Sequence, residues 1–240
     1  MVIKDISLLS PQENILFDDV LLSLAESGHS PEVLRFWESP QLFIVLGKTG
    51  KLWEDVYTEK ARQDGVPVLR RSSGGGTVLQ GKGCFNFSLI LSKDRHPDMP
   101  DLRRSYRYIL GKVMESLARL GIKSAFQPIS DLALAENSRK ISGNAQKRGK
   151  KFILHHGTLL YNFDLSKIEY YLKIPKSVPD YRQGRPHLEF VTNVSAAPVE
   201  LKAAVRKVFF AEKENSQPTL KPADCLQKFL ESNNSVLILE

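Results

Sequence analysis

The sequence predicts an α+β fold with a mixed, mostly antiparallel sheet flanked by helices. Two observations carry this. Strand-like and helix-like runs succeed one another without strict βαβ alternation. Several strand candidates are also joined by short polar turns that return the chain on itself, as in DLALAENSRKISGNAQ and the following KRGKK.

The elements read in order. Residues 11–26, PQENILFDDVLLSLAE, place Ile15, Leu16, Val20, Leu21 and Leu24 at helical spacing, with Ser10 as cap and Pro11 at the first position. VLRFWES and QLFIVLG read as two strands hinged at Ser39–Pro40. KLWEDVYTEKARQDG reads as one short helix closed by Gly65. VPVLRR, TVLQ and CFNFSLIL read as strands around a glycine turn. From Pro100 to Gly121 a long helix is expected, with Leu102, Tyr106, Ile109, Val113, Leu117 and Leu120 as its buried stripe. Two β-like arms then flank the turn Glu136–Arg139, FILHHGTLLYNF is a strand, and DLSKIEYYLK a helix capped by Asp164. Residues 174–192 are rich in proline, glycine and charge and read as a functional loop, mobile when no ligand is bound. PVELKAAVRKVFFAE is a helix begun by Pro198, PADCLQKFLES a last short helix, and SVLILE a terminal strand.

The totals limit the function classes. With 240 residues, 42% hydrophobic and 25% charged, the chain fits one good-sized domain without repeats or an internal boundary. No apolar run approaches the ~18–20 residues of a membrane helix, and the N-terminus lacks the features of a secretory signal or transit peptide. A cytoplasmic protein with no membrane partner is expected. Cys84 and Cys225 are distant, without companions at zinc spacing, and read as reduced structural thiols. The net charge of +7 suits a nucleotide or an acidic protein partner. No basic motif interleaved with aromatics appears, so no nucleic-acid partner is expected.

Three segments carry candidate chemistry. LRRSSGGGTVL sets three glycines between arginines, hydroxyls and strands, which suits a phosphate or carboxylate. It matches neither a Walker A loop nor G-x-G-x-x-G, and a glycine-rich hairpin with surface arginines is the other reading. In RKISGNAQ, strict alternation puts Lys140 and Ser142 on one face and Ile141 and Gly143 on the other. Gly143 and Ala145 leave room for a ligand, and Lys140 is either a bridge between two anions or a solvated lysine. Asp131 is either a hard oxygen ligand for Mg²⁺ or a turn residue. In HHGTLL only one of His155 and His156 can share the Lys140 side, as a structural or a catalytic histidine.

Together LRFWES–QLFIVLGK, LRRSSGGGTVL, RKISGNAQ and HHGTLL, in that order from about residue 12 to residue 210, resemble the lipoate-protein ligase A family. That family belongs with the biotin ligases and octanoyltransferases. The resemblance implies a catalytic domain related to class II aminoacyl-tRNA synthetases. It implies that lipoate or octanoate is activated with ATP and Mg²⁺ to an acyl-adenylate. The acyl group then passes to a lysine of a 2-oxoacid dehydrogenase lipoyl domain or a glycine-cleavage H protein. By matching position, Arg71, Gly75, Gly76, Thr77, Val78, Leu79 and His156 would bind the nucleotide. Lys140 would be catalytic and contact both carboxylate and α-phosphate, and Asp131 would sit by the metal. Trp37, Arg70, Ser73, Gly74, Gly143 and Ala145 would shape the acyl pocket. Gln80 and Cys84 stand where many of these ligases have histidine and asparagine. The chain is expected to be a monomeric single catalytic domain over 1–240 without the small C-terminal accessory domain of longer ligases, leaving room for a separate accessory subunit. A non-catalytic homologue that binds lipoylated proteins is one rival reading, and an octanoyl or lipoyl transferase acting from acyl carrier protein or H protein is the main one. It would need a cysteine within 123–134 or 152–190, and neither stretch has one.

Overall fold

The computed structural model describes residues 1–210. The expected short helix PADCLQKFLES, the terminal strand SVLILE and Cys225 lie outside the described residues. Ten strands and seven α-helices follow one another along these residues without regular alternation. The strands are β1 (Val2–Asp5), β2 (Val33–Trp37), β3 (Phe43–Leu46), β4 (Val68–Arg70), β5 (Val78–Gln80), β6 (Cys84–Ser92), β7 (Ser124–Gln127), β8 (Asp131–Leu134), β9 (Lys140–Arg148) and β10 (Phe152–Leu160). The helices are α1 (Pro11–Glu26), α2 (Leu52–Asp55), α3 (Thr58–Gln63), α4 (Leu102–Ala118), α5 (Ser166–Tyr171), α6 (His187–Phe190) and α7 (Pro198–Phe210).

Seven strands form the main sheet in the order β1-β2-β6-β10-β9-β8-β7. Only β1 and β2 pair in parallel; every other pair is antiparallel. A small sheet, β4-β3-β5, stands beside it. The expected mixed, mostly antiparallel α+β architecture is the one observed. α4 and α7 cover one face of the main sheet, where Phe85, Phe87, Leu89, Leu91, Leu132, Ile141 and Leu159 meet Ile109, Val113, Leu117, Leu201 and Val205. On the other face α1 packs Phe17, Val20 and Leu21 on Val33, Ile90 and Leu154, which leaves the rest of that face open.

The starts of α1 and α4 and the end of α3 follow their sequence signals, whereas the N-cap of α5 is Leu165, without a side-chain cap, and not the expected Asp164. Ser10 and Glu13 form a reciprocal capping box ahead of α1, with Pro11 in the first turn. Asp101 caps α4 by accepting from the Arg104 amide at 2.8 Å. Gly65 takes the left-handed conformation (φ +63°) that ends α3.

Five further expectations change. Residues 51–65 form two helices, because Val56 leaves helical geometry to bridge to Leu172 and is buried. Leu102, placed in the buried stripe of α4, is 47% exposed in its first turn, beyond the reach of the sheet. β1 and β7 were not anticipated; both are short edge strands without clean alternation. Residues 174–192 are not wholly irregular: a 3₁₀ turn (Asp180–Arg182) and α6 bury Arg182, His187 and Phe190. The strict alternation expected for β9 fails at its start. Asp131 pairs with Gly143 and Leu132 with Ser142, but Ala133 pairs with Lys140, so Ile141 is an extra residue. This bulge sends Ile141 into the core beneath α4 and brings Lys140 to the Gly143 side instead of the Ser142 side.

Candidate active site

The open face of the main sheet and the small sheet enclose a cleft of about 1080 Å³. Strand pairing sets its floor. One transverse row runs Trp37–Asn86–Thr158–Gly143–Asp131 across five strands. Two residues along, a second row runs Arg35–Ser88–His156–Ala145. Both rows point away from α4 and α7, because side chains on a strand alternate in direction.

Lys140 and Asp131 form one end of the first row. Lys140 Nζ lies 2.9 Å from Asp131 Oδ2, and both side chains are largely buried. The ammonium sits directly over Gly143, where an added Cβ would come within 3.2 Å of Nζ. Glycine at this position is therefore the space that Lys140 occupies. Asp131 Oδ2 also accepts the Tyr181 hydroxyl at 2.7 Å, so the segment 174–192 closes over the pair. Its end is fastened to the same strand: the Thr192 amide donates to the Lys140 carbonyl at 2.9 Å. An ammonium has three N–H donors. Asp131 takes one, which leaves two for oxygens of a ligand.

The glycine loop forms the opposite wall. Arg71 is only 8% exposed, and its guanidinium organises the loop from within. Nε and Nη2 donate to the Gly74 carbonyl at 3.1 and 2.7 Å, Nη2 to that of Gly76 at 2.8 Å, and Nη1 to that of Val45 at 3.4 Å. Four of its five N–H groups are thus engaged. Burial lowers its pKa to about 10, so it remains a cation at neutral pH. Gly75 has φ +86° and passes over Ala145, within ordinary contact of where its own Cβ would stand. Thr77 donates to Asp55 Oδ2 at 2.6 Å, and Ser72 to Asp19 Oδ1 at 2.6 Å. The loop is therefore tied at both ends to helices, and Lys147 of β9 binds the same Asp19 oxygen at 2.7 Å.

Of the residues singled out from sequence, Trp37, Arg71, Ser73, Gly75, Gly76, Thr77, Val78, Leu79, Asp131, Lys140, Gly143, Ala145 and His156 line one cleft. Arg70 and Gly74 do not. Arg70 points away to bind the carbonyls of Gly47, Lys48 and Gly50, because alternation after Leu69 sends it outward. His156 faces the cleft, 2.6 Å from Ser73 Oγ, while its neighbour His155 is buried against Phe87 and Tyr106. Burial holds both imidazoles neutral, with pKa values pushed down to about 3; Arg71 adds to the effect on His156. Cys84 is wholly buried and burial pushes its thiol well up, so it is no nucleophile.

Sequence reasoning missed the supports. Beneath the cleft Asp18 pairs with Arg35 at 2.7 Å, and Ser88 donates to Asp18 at 2.6 Å. Arg35 also donates to Asn14, both to its carbonyl and to its side chain. The signal was available: an acidic pair inside NILFDDVLLSL and an arginine inside VLRFW are charges in segments patterned for burial. Tyr181 carried no such signal.

Among the described residues no group of three or more His, Cys, Asp or Glu side chains could hold a metal. A single carboxylate such as Asp131 suits Mg²⁺ that arrives on nucleotide phosphates, which needs only one or two protein ligands. No helix of the described residues is long and apolar enough to cross a membrane.

Residues 10–209 match the family described as lipoyl protein ligase A/B catalytic domain. A protein of Aeropyrum pernix with the provisional name lipoate-protein ligase A is 33% identical over 159 residues, 66% of this chain and 57% of its own length. One of Schizosaccharomyces pombe with the same provisional name is 28% identical over 169 residues, 70% of this chain and 43% of its own length. The chain thus spans about half the length of the curated relatives it matches. Among solved structures, a bi-partite lipoate protein ligase from Thermoplasma acidophilum superposes with a TM-score of 0.78 at 21% identity, covering 96% of this chain and 91% of that one. A lipoate-protein ligase A bound with ATP superposes with a TM-score of 0.76 at 22% identity, covering 95% and 93%. The fold is thus the one shared by these ligases, and the chain belongs to the lipoyl protein ligase A/B catalytic-domain family.

Proposed function

We propose that the chain is an ATP-dependent lipoate-protein ligase, acting in the cytoplasm. The observation that carries this reading is the Lys140–Asp131 pair, set over Gly143 and facing the arginine-braced glycine loop across one cleft. A fixed ammonium with two free donors, opposite a loop rich in backbone amides, suits a reaction that brings two anions together.

Two steps follow. A carboxylate oxygen of lipoate or octanoate attacks the α-phosphorus of ATP. The bond to the β-phosphate oxygen breaks and pyrophosphate leaves. Lys140 lies between the two anions, cancels their repulsion and stabilises the charge that builds up between them. Asp131 would be the carboxylate that holds a phosphate-bound Mg²⁺, which would supply positive charge to the leaving group. The ε-amine of an acceptor lysine then attacks the acyl carbon, AMP departs with the bonding pair, and the new amide nitrogen loses its proton. No protein nucleophile is required. Among the described residues the only cysteine is the sealed Cys84, which supports the ligase over a thioester-forming transferase. In this reading Gly75–Leu79 and His156 hold the nucleotide and Trp37, Ser73, Gly143 and Ala145 flank the acyl chain; that all of them line the same cleft supports it.

The acceptor would be a lipoyl domain or H protein, steered by the positive charge of the chain. The Thermoplasma ligase named above is described as bi-partite and with its E2 lipoyl domain, which supports both a lipoyl-domain acceptor and a separate accessory subunit. The test is to incubate the protein with ATP, Mg²⁺, lipoate and a lipoyl domain and to weigh the domain by mass spectrometry. A mass gain of one lipoyl group on its lysine is expected. An unmodified domain, with accessory subunit supplied, contradicts the reading.

A further inference from the structure

The first row of the cleft floor gives the site a direction. Lys140 and Asp131 mark one end. Gly143 and Asn86 are two interstrand steps apart, about 10 Å, and Trp37 is one step further. An acid with its carboxylate at Lys140 lays its tail along this row. Its far end then arrives among Trp37, Asn86, Thr158 and Gln80, where the wall is polar.

A single backbone carbonyl fixes how that wall is polarised. Asn86 Nδ2 donates to the Cys84 carbonyl at 3.2 Å, which turns Asn86 Oδ1 the other way to accept the Thr158 hydroxyl at 2.6 Å. Thr158 has then used its one proton, so its oxygen accepts from Gln80 Nε2 at 2.8 Å. Each link leaves the next only one orientation. At the end of the chain stands the Gln80 carbonyl oxygen, buried and without a protein partner, in a side chain 6% exposed. The indole Nε1 of Trp37 is also buried and unpartnered, in a side chain 8% exposed. Trp37 packs with Phe43, the register partner of Gln80, so the two groups belong to the same end of the cleft. Buried polar atoms are normally paired; a buried acceptor and a buried donor without partners, in two residues that line a ligand cleft, are matched by a ligand that reaches between them and supplies both.

We propose that Gln80 is a specificity-determining residue. Its carbonyl and the Trp37 N–H select medium-chain acids with a distal hydroxyl or thiol over plain alkyl acids of equal length. The proposal rests on the acyl-activation reading above. An O–H or S–H group donates to Gln80 and accepts from Trp37. A plain alkyl tail leaves both groups desolvated and unpaired, the situation in which a site rejects an analogue that lacks the polar group. Among sulfur acids, the open dithiol form of lipoate meets both groups, whereas the cyclic disulfide can only accept.

The probes are octanoate and 8-hydroxyoctanoate, titrated calorimetrically into the full chain and its Gln80→Leu and Gln80→Met variants. Wild type is expected to favour the hydroxy acid about tenfold or more, and both variants to lose that preference or reverse it. Equal binding of the two acids by wild type, or a preference that survives in both variants, overturns the proposal. Acid-dependent ATP–pyrophosphate exchange, run in parallel with the accessory subunit supplied, separates the two claims. A binding preference without exchange sinks the activation reading but not the subsite. Exchange without a binding preference sinks the subsite alone.

Discussion

The two faces of the seven-stranded sheet are drawn from alternate residues of the same strands and put to opposite uses. On β6, Phe85, Phe87, Leu89 and Leu91 turn towards α4 and α7 and are essentially inaccessible. Asn86 and Ser88, interleaved with them, turn to the cleft. On β10, His155 is locked in the core beside Phe87, whereas His156 faces the cleft and meets Ser73. The apolar face fixes the height and angle of every strand. The polar face inherits that precision for its ligand-facing side chains. Losses on the apolar face should therefore cost stability, and losses on the polar face should cost chemistry.

The largest expected effect lies on the polar face. Lys140→Ala should lower acid-dependent ATP–pyrophosphate exchange by about 10³-fold, the scale of losing a preorganised charge at the reacting centre. Its melting temperature should stay within a few degrees of wild type, and retained exchange would remove Lys140 from its role. The mirror experiment is Phe87→Ala. It should cost about 3–5 kcal/mol in urea denaturation through transfer and cavity terms, with binding by the remaining folded fraction little changed.

A third test uses pH. Both histidines have folded pKa values pushed down to about 3 from an ordinary value near 6.5. Below 6.5 the unfolded chain therefore binds more protons than the folded one. Their contribution is fully present above pH 6.5 and is lost as pH falls towards 3, at up to about 1.4 kcal/mol per pH unit for each group. His155→Phe should flatten this acid limb in denaturation experiments from pH 7 to pH 4; an unchanged slope would show that His155 does not titrate on unfolding. The smallest expected effect is that of Gly143→Ala. The new methyl would press on the Lys140 ammonium, which can yield by a few tenths of an ångström. Exchange should fall about tenfold, as expected for a slightly misplaced charge, with a stability change under about 1 kcal/mol.

The same contrast explains what could be read in advance. The apolar face and the helix caps were legible because they rest on local spacing and on residue types that act within a few positions. The glycine loop, Lys140, Asp131 and His156 stood out as residue types suited to anions. Their gathering into one cleft was implied only by the resemblance of four segments taken together. Three things were hidden because they depend on how the chain folds back on itself, not on the spacing of residue types. The extra residue Ile141, which turns Lys140 to the ligand side, is an irregularity of pairing with β8. Arg71 reads as a ligand-binding arginine, yet most of its donors brace the loop that carries it. Tyr181 reaches Asp131 from 50 residues away, out of a segment with no periodicity to place it.

Lipoate-dependent exchange of labelled pyrophosphate into ATP tests, without an acceptor protein, whether the polar face activates a carboxylate. Exchange should require lipoate and Mg²⁺ and be lost in Lys140→Ala. A flat signal from folded wild-type protein with the accessory subunit supplied, together with transfer of an octanoyl group from acyl carrier protein in the absence of ATP, would contradict acyl activation by this site.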